Sequence, residues 1–177
     1  MVSTTFEDFR DVLSAAAGNA CRCSRSGLAQ VIADLAPGGE LWSTSELERA
    51  WPGITNDLEA FGVTIRTDSS PELTRDQPWG ITIARAAIAE SGSVILHENR
   101  LEQRSVSLMT NRLIVLVRLD DLHPSLDDAA NVLREIGSDG NSYATFVSGP
   151  SRTADIERQL TIGVQGPGEL HVFVIEE

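Results

Sequence analysis

Short apolar runs alternate with helix-spaced segments from the start of the chain, and this alternation limits the possible folds more than any other feature. Phe6, Phe9, Val12 and Leu13 recur at helical spacing and predict a leading helix, followed by a strand over Asn19 to Ser24. Leu28, Val31, Ile32 and Leu35 mark a second helix that Pro37-Gly38-Gly39 ends, and Glu40 to Ser43 reads as a short strand. Ser45 caps a short turn through Leu47, Ile54 to Phe61 makes another helix closed by Gly62, and Val63 to Thr67 is a strand. Repeated strand–helix units with short loops imply an α/β fold, an open, mostly parallel sheet with helices on both faces. Ser69 to Pro78, rich in Pro, Asp, Ser and Thr, is expected to be a flexible loop or lid.

The rhythm then changes. Ile81 to Ala89 and Ser93 to His97 are two β-prone runs joined at Glu90-Ser91-Gly92, which predicts a hairpin or a sharply bent strand pair. Leu113 to Val117 is a continuous apolar run fit for a central strand, and Asp120 to Pro124 punctuates the chain before a helix over Ser125 to Ile136. Tyr143 to Val147 is β-prone and Ser148-Gly149-Pro150-Ser151 stops it. Ser151 or Thr153 is then placed to cap a helix whose first turn carries Asp155 and Glu157, ahead of the apolar run Leu170 to Ile175. A strand, tight loop and helix start point free N–H groups at one spot. Ser148, Gly149, Pro150, Ser151, Thr153 and Asp155 are therefore a candidate site for a small organic anion. The same residues also suit plain helix capping, because the glycine fingerprints of phosphate loops are absent.

A chain of 177 residues with 41% hydrophobic content suits one globular domain over 1–177. Thr4 to Ala17 mixes Glu7, Asp8, Arg10 and Asp11 with its apolar residues, so no signal peptide or membrane span is recognisable and a cytoplasmic protein is expected. The net charge of -12 and the lack of a basic patch argue against nucleic acid as a partner. All 14 basic side chains are arginine, which excludes lysine Schiff-base chemistry. Cys21 and Cys23, two apart on one face of a strand, are expected in the core rather than at a metal or redox site. His97, His123 and His171 are isolated in sequence, and no cofactor or metal is expected in this chain.

Several stretches carry a family pattern: Gly80-Ile81-Thr82, Ala87 to Val94, Arg104-Ser105 with Ser107-Leu108 leading into Leu113 to Val117, Ser148 to Glu157, and Gly166-Pro167 with Leu170-His171-Val172. In that order they resemble the LUD-domain family, of the lactate-utilization protein C type, across about the C-terminal half; the N-terminal half matches only in rhythm. The resemblance implies a fold of the NagB/ribose-phosphate-isomerase/CoA-transferase-like class. It further implies a non-redox accessory or substrate-binding subunit of a system that oxidises L-lactate to pyruvate with separate cysteine-rich iron–sulfur proteins. The alternative is a stand-alone CoA-transferase-like enzyme acting on a small acidic or acyl substrate.

Within that resemblance Glu90 is the catalytic candidate. Glu90-Ser91-Gly92 is similar to the Glu-Asn-Gly of class I CoA transferases, whose glutamate is a nucleophile, with Ser91 in place of the asparagine. A turn glutamate that bonds nearby backbone is the other reading. Arg104 suits a bidentate pair with a substrate carboxylate, or an ion pair with Glu98 or Glu102. His97, at a strand end, has the chemistry of a general base but no neighbouring relay, which favours a structural role. Arg85 stands where many members of the family have an acid, which changes the charge of the implied pocket. The chain also begins near its first strand, without the longer N-terminal arm of many members, which bears on how partners would dock. Glu90 to Gly92 and Ser148 to Ser151 are expected to converge on one cleft at strand ends.

Overall fold

The structure, a computed structural model, describes residues 2–140, 142–154, 160–162 and 166–177. Its main sheet is all parallel and has six strands: β1 (Asn19–Ser24), β2 (Glu40–Trp42), β3 (Thr64–Arg66), β4 (Trp79–Ile83), β7 (Arg112–Arg118) and β12 (Glu169–Glu176), in the spatial order β1-β12-β7-β4-β2-β3. Strands β7 and β12 lie inside the sheet, and Leu113 to Val117 and Val172 to Ile175 are apolar on both faces because both faces are covered. Ile114, Leu116, Phe173 and Ile175 point to one side, and Leu113, Val115, Val117, Val172 and Val174 to the other.

Helices α2 (Leu28–Leu35), α3 (Ser45–Ala50) and α4 (Ile54–Ala60) cover the first face. Leu28 and Ile32 of α2, one turn apart, are fully buried there with Leu47, Ile54 and Leu58. The second face is covered differently. Helix α1 (Val2–Ala15) contributes Phe9 and Leu13, and beside it lies a second sheet of four strands in the order β8-β5-β6-β9. These strands are β5 (Ala86–Ile88), β6 (Ser93–His97), β8 (Leu122–His123) and β9 (Ala144–Val147); β5 and β6 pair antiparallel, as do β6 and β9. Ala86, Ile88 and Ile95 on the far side of this sheet pack with Ile136 of α7 (Ala130–Ser138). The mostly parallel α/β architecture is as expected, with a second sheet sharing one face.

Several local expectations are corrected. The hairpin expected at Glu90 to Gly92 is present, since β5 and β6 pair antiparallel across it, but the Ile81 to Ala89 run is split, because the chain leaves the main sheet at Ala84: the Ala84 N–H bonds Leu116 in the main sheet at 2.8 Å, whereas the Arg85 N–H bonds Ile95 in the second sheet, also at 2.8 Å. Ser69 to Pro78 contains a short helix, α5 (Pro71–Thr74), capped by the Ser70 hydroxyl, which accepts from the Leu73 N–H at 3.3 Å. Helix α6 (Leu101–Met109) was not announced by apolar spacing, since its buried face includes Gln103, Ser105 and Ser107 beside Val106. The helix after Pro124 begins at Ala130 rather than Ser125.

The largest correction falls after Ser151. Arg152–Ala154 is not the start of a helix but a strand, β10, paired antiparallel with β11 (Leu160–Ile162), and Asp155 and Glu157 of the expected first turn lie outside the described residues. The cysteines also depart from expectation. Strand β1 is an edge strand, so Cys21 is exposed and Cys23 only partly buried against the first core; burial pushes the Cys23 thiol up to about 11, helped by Cys21 and Glu176. No helix among the described residues is long and apolar enough to cross a membrane.

Candidate functional site

Where the chain steps from one sheet to the other at Ala84 and Arg85, the two sheets diverge and a cavity of about 370 Å³ opens beyond the carboxyl end of β4. Crevices at strand carboxyl ends, where connections separate, are where open α/β sheets bind ligands. The walls come from four elements. Ile83 ends β4 and Arg85 follows it; His97 ends β6 and Asn99 and Arg100 follow it; Gln103 lies in the first turn of α6; Glu46, Arg49 and Ala50 lie on α3.

Three arginines against one lining carboxylate make this cavity cationic within a chain of net charge -12. Among the described residues Arg49 and Arg100 make no ion pair, and Arg85 reaches only Glu135, loosely, at 3.5 Å. These guanidiniums are therefore largely uncommitted and suit an incoming carboxylate. Gln103 fixes the geometry between the elements. Its Oε1 accepts from the Arg100 N–H at 2.7 Å, while Nε2 donates to the Glu46 carboxylate and toward the His97 carbonyl at 3.5 Å. An apolar patch, Ile83 and Ala50, completes the wall.

Two groups at the end of β6 have unmet polar demand. The His97 Nε2 is closed off from solvent and has no hydrogen-bond partner among the described residues. Glu98, only 2% exposed, has no partner in hydrogen-bond geometry at either carboxylate oxygen. Burial pushes the Glu98 carboxyl up to about 7; the Ser107 hydroxyl and Arg104 oppose that rise, and Glu46 adds to it. The Ser107 hydroxyl itself is turned to the Arg104 carbonyl, at 3.3 Å.

The residues singled out by sequence fall at two ends of the second sheet. Arg104 lies at the cavity end, one residue after Gln103. It makes neither expected ion pair: its Nη1 donates to the backbone carbonyl of Glu98 at 2.6 Å, and its guanidinium stacks on Tyr143 at 5.0 Å. Glu90 to Gly92 and Ser148 to Ser151 lie at the opposite end, about 13 Å away along β6 for four residues of strand. There the Ser91 hydroxyl donates to Ser93 at 2.8 Å, and Ser93 and Ser148 share a hydrogen bond of 2.6 Å. The two segments thus do converge, through three hydroxyls.

Helix α1 and the turn at Ala16 just after it occupy the space that their glycines leave. A Cβ on Gly92 would lie 2.6 Å from the Leu13 backbone nitrogen, and one on Gly149 2.6 Å from the Ala16 carbonyl oxygen. Arg152 donates to that same Ala16 carbonyl at 2.8 Å, and the Ser151 N–H bonds Pro167 at 2.8 Å. Glu90 turns away from the serines: its carboxylate accepts from the Leu126 N–H at 2.6 Å and its own N–H bonds the Pro124 carbonyl at 3.0 Å. Pro150 lies in the loop after β9, Thr153 is in β10, and Asp155 lies outside the described residues. Glu90, Ser91, Gly92, Ser148, Gly149, Pro150 and Ser151 are not among the residues that line the cavity. Sequence reasoning set His97 aside and did not propose Glu98, Arg100 or Gln103; the usable signal was the polar stretch His97-Glu98-Asn99-Arg100 directly after an apolar strand.

The family model of the LUD domain matches residues 6–175. The chain belongs to the LUD-domain family. The match extends through the N-terminal half, where the sequence pattern alone had offered only rhythm. Among LUD relatives, a lactate utilization protein C from Exiguobacterium sp. is 30% identical over 131 residues, covering 72% of this chain and 57% of that protein. Lactate utilization protein C 1 from Bacillus mycoides is 35% identical over 126 residues, covering 70% and 53% respectively. Lactate utilization protein C from Bacillus subtilis is 36% identical over 101 residues, covering 55% and 42%. The chain thus spans about half the length of the curated relatives it matches. A crystal structure of a DUF162 family protein from Deinococcus radiodurans has the same fold, with a TM-score of 0.69 at 20% identity over 99% of each chain.

Proposed function

We propose that this LUD domain is the binding component of a lactate-utilization system and holds the carboxylate of a small organic acid, L-lactate or pyruvate, in the cavity between α3, β4, β6 and α6. The observation that carries this reading is the cationic cavity itself: Arg49, Arg85 and Arg100 gathered at a strand-end crevice of an acidic chain. The names of the curated relatives supply the acid.

The chain serves as an accessory, cytoplasmic, non-redox subunit. Its two cysteines and the absence, among the described residues, of any group of three or more His, Cys, Asp or Glu suited to a metal support placing the electron carriers in separate cysteine-rich iron–sulfur proteins. Glu90 gives less support to a CoA-transferase-like enzyme, because its carboxylate is committed to the Leu126 N–H away from the cavity.

The test is thermal unfolding of the purified chain with sodium L-lactate, pyruvate or chloride at matched ionic strength. A ligand at a hundred times its Kd stabilises the native state by about 2.7 kcal/mol. Wild type is expected to gain a concentration-dependent rise in Tm with L-lactate or pyruvate, and Arg100→Ala and Arg49→Ala are expected to lose most of it. Equal rises in wild type and both variants would move the anion elsewhere, and the absence of any rise would remove the proposal.

A further inference from the structure

We infer that the open edge of the main sheet at β1 is a docking surface for a second copy of this chain, the two β1 strands pairing antiparallel about a two-fold axis at Cys21. The sheet then continues from one protomer into the other.

Strand β1 ends the sheet beyond β12, and Asn19, Cys21, Arg22 and Ser24 along it are exposed. Its hydrogen-bond phase follows from the register. The Arg25 N–H bonds the Glu176 carbonyl at 2.8 Å and Ser24 pairs with Glu176, so in this parallel ladder Cys21 and Cys23 turn their N–H and C=O groups to β12 while Ala20 and Arg22 turn theirs outward. Among the described residues those outward groups have no backbone partner.

Native proteins blunt such an edge with charge, proline or a bulge. Strand β1 has no proline, and no bulge interrupts its pairing with β12 from Asn19 to Ser24. Its one charged side chain, Arg22, is held by Glu176 of the neighbouring strand. In a chain of net charge -12, where two copies repel, this edge is therefore a neutral approach. The other edge strand of the sheet, β3, is only three residues long.

The outward groups are self-complementary, which selects a second copy over an unrelated strand. With the axis at Cys21, Ala20 of one protomer lies opposite Arg22 of the other and exchanges both backbone bonds with it, and the reverse pair does the same. The small Ala20 leaves room for the Arg22 stem across from it, on the face away from Cys21. The two Cys21 residues form the non-hydrogen-bonded pair between, with Cα atoms about 4.5 Å apart. That separation lies within the range a disulfide spans.

The test uses the full chain in sedimentation velocity under reducing conditions, from about 10 µM to 1 mM, where a weak monomer–dimer equilibrium is expected. Arg22→Pro removes one outward N–H from each copy without breaking a bond to β12, and is expected to weaken the dimer about thirtyfold. Cys21→Lys sets two like charges opposite each other, leaves the backbone donors in place, and is expected to weaken it about fivefold. Oxidised glutathione reads the register: two Cys21 thiols and one glutathione disulfide give one linked dimer and two reduced glutathiones. Wild type and Cys23→Ser are expected to give that linked dimer on a non-reducing gel. Cys21→Ser is expected to lose the link and still dimerise in the reducing run. A chain that stays monomeric throughout overturns the inference. So does a dimer that Arg22→Pro and Cys21→Lys both leave unchanged, or a link that persists in Cys21→Ser.

Discussion

Replacing Gly92 with alanine is expected to destabilise the chain by about 3 kcal/mol, with the change read from urea denaturation midpoints. Gly92 sits at φ +59°, a conformation that costs an L-residue about 1 kcal/mol. The added Cβ would also lie 2.6 Å from the Leu13 backbone nitrogen and 2.9 Å from its Cα. Those are backbone atoms of α1, so no side chain can rotate away and the helix itself must shift, an overpacking cost of about 1–3 kcal/mol. Leu13 is fully buried in the second core, so a shift of α1 disturbs the packing against β5, β6 and β12 as well. Gly62→Ala is the control, because Gly62 has φ +79° but nothing within 4 Å of its Cβ position. It is expected to cost only about 1 kcal/mol. Equal losses in the two variants would show that α1 does not press on the turn.

The Glu98→Gln variant is expected to be more stable than wild type at pH 8 and to lose most of wild type's pH dependence below that. Burial raises the Glu98 carboxyl in the folded chain from its ordinary 4.5 to about 7. Between those values the folded state binds more protons than the unfolded state, so wild-type stability falls as pH rises through this window and levels off above about 7. The accumulated loss is about 3 kcal/mol from this residue alone. Glutamine keeps the shape of the protonated acid without the ionisation, so the gain over wild type should be largest at pH 8 and vanish near pH 4. Denaturation series at both pH values measure the difference. A difference that does not change with pH would mean that Glu98 is solvated in the folded chain.

The limits of sequence reading follow the same physics as these two residues. Strand β1 and helix α2 were legible to the residue, because Asn19 to Ser24 and the Leu28, Val31, Ile32, Leu35 spacing are local signals that the sheet and its first covering layer satisfy without conflict. Strand β7 was legible as central because both of its faces are apolar. The Ser148 to Ser151 break was not: locally it reads as a helix cap, but the residues that decide its conformation are Ala16 and Pro167, far away in sequence. Helix α6 was hidden because its buried face is mostly polar, with Gln103, Ser105 and Ser107 committed to bonds with Glu46, Leu101 and Arg104.

The cavity was hidden for a related reason. Its arginines come from three separate segments, and nothing in the order of the chain announces that Arg49, Arg85 and Arg100 share a wall. The serine and glutamate motifs, compact in sequence, drew attention to the other end of the second sheet. There Gly92 is explained by the close approach of α1, Gly149 by that of Ala16 in the turn after it, and Glu90 by the N–H it holds. The local pattern located turns, and the packing of the two sheets located the candidate ligand site.

The central claim is that an organic acid binds where the two sheets part. A crystal structure of the chain grown with saturating L-lactate tests it most directly. The ligand carboxylate is expected within hydrogen-bond distance of at least two of Arg49, Arg85 and Arg100. Lactate seated instead among Ser91, Ser93 and Ser148, or a cavity occupied only by solvent at a lactate concentration that raises the Tm, would contradict it.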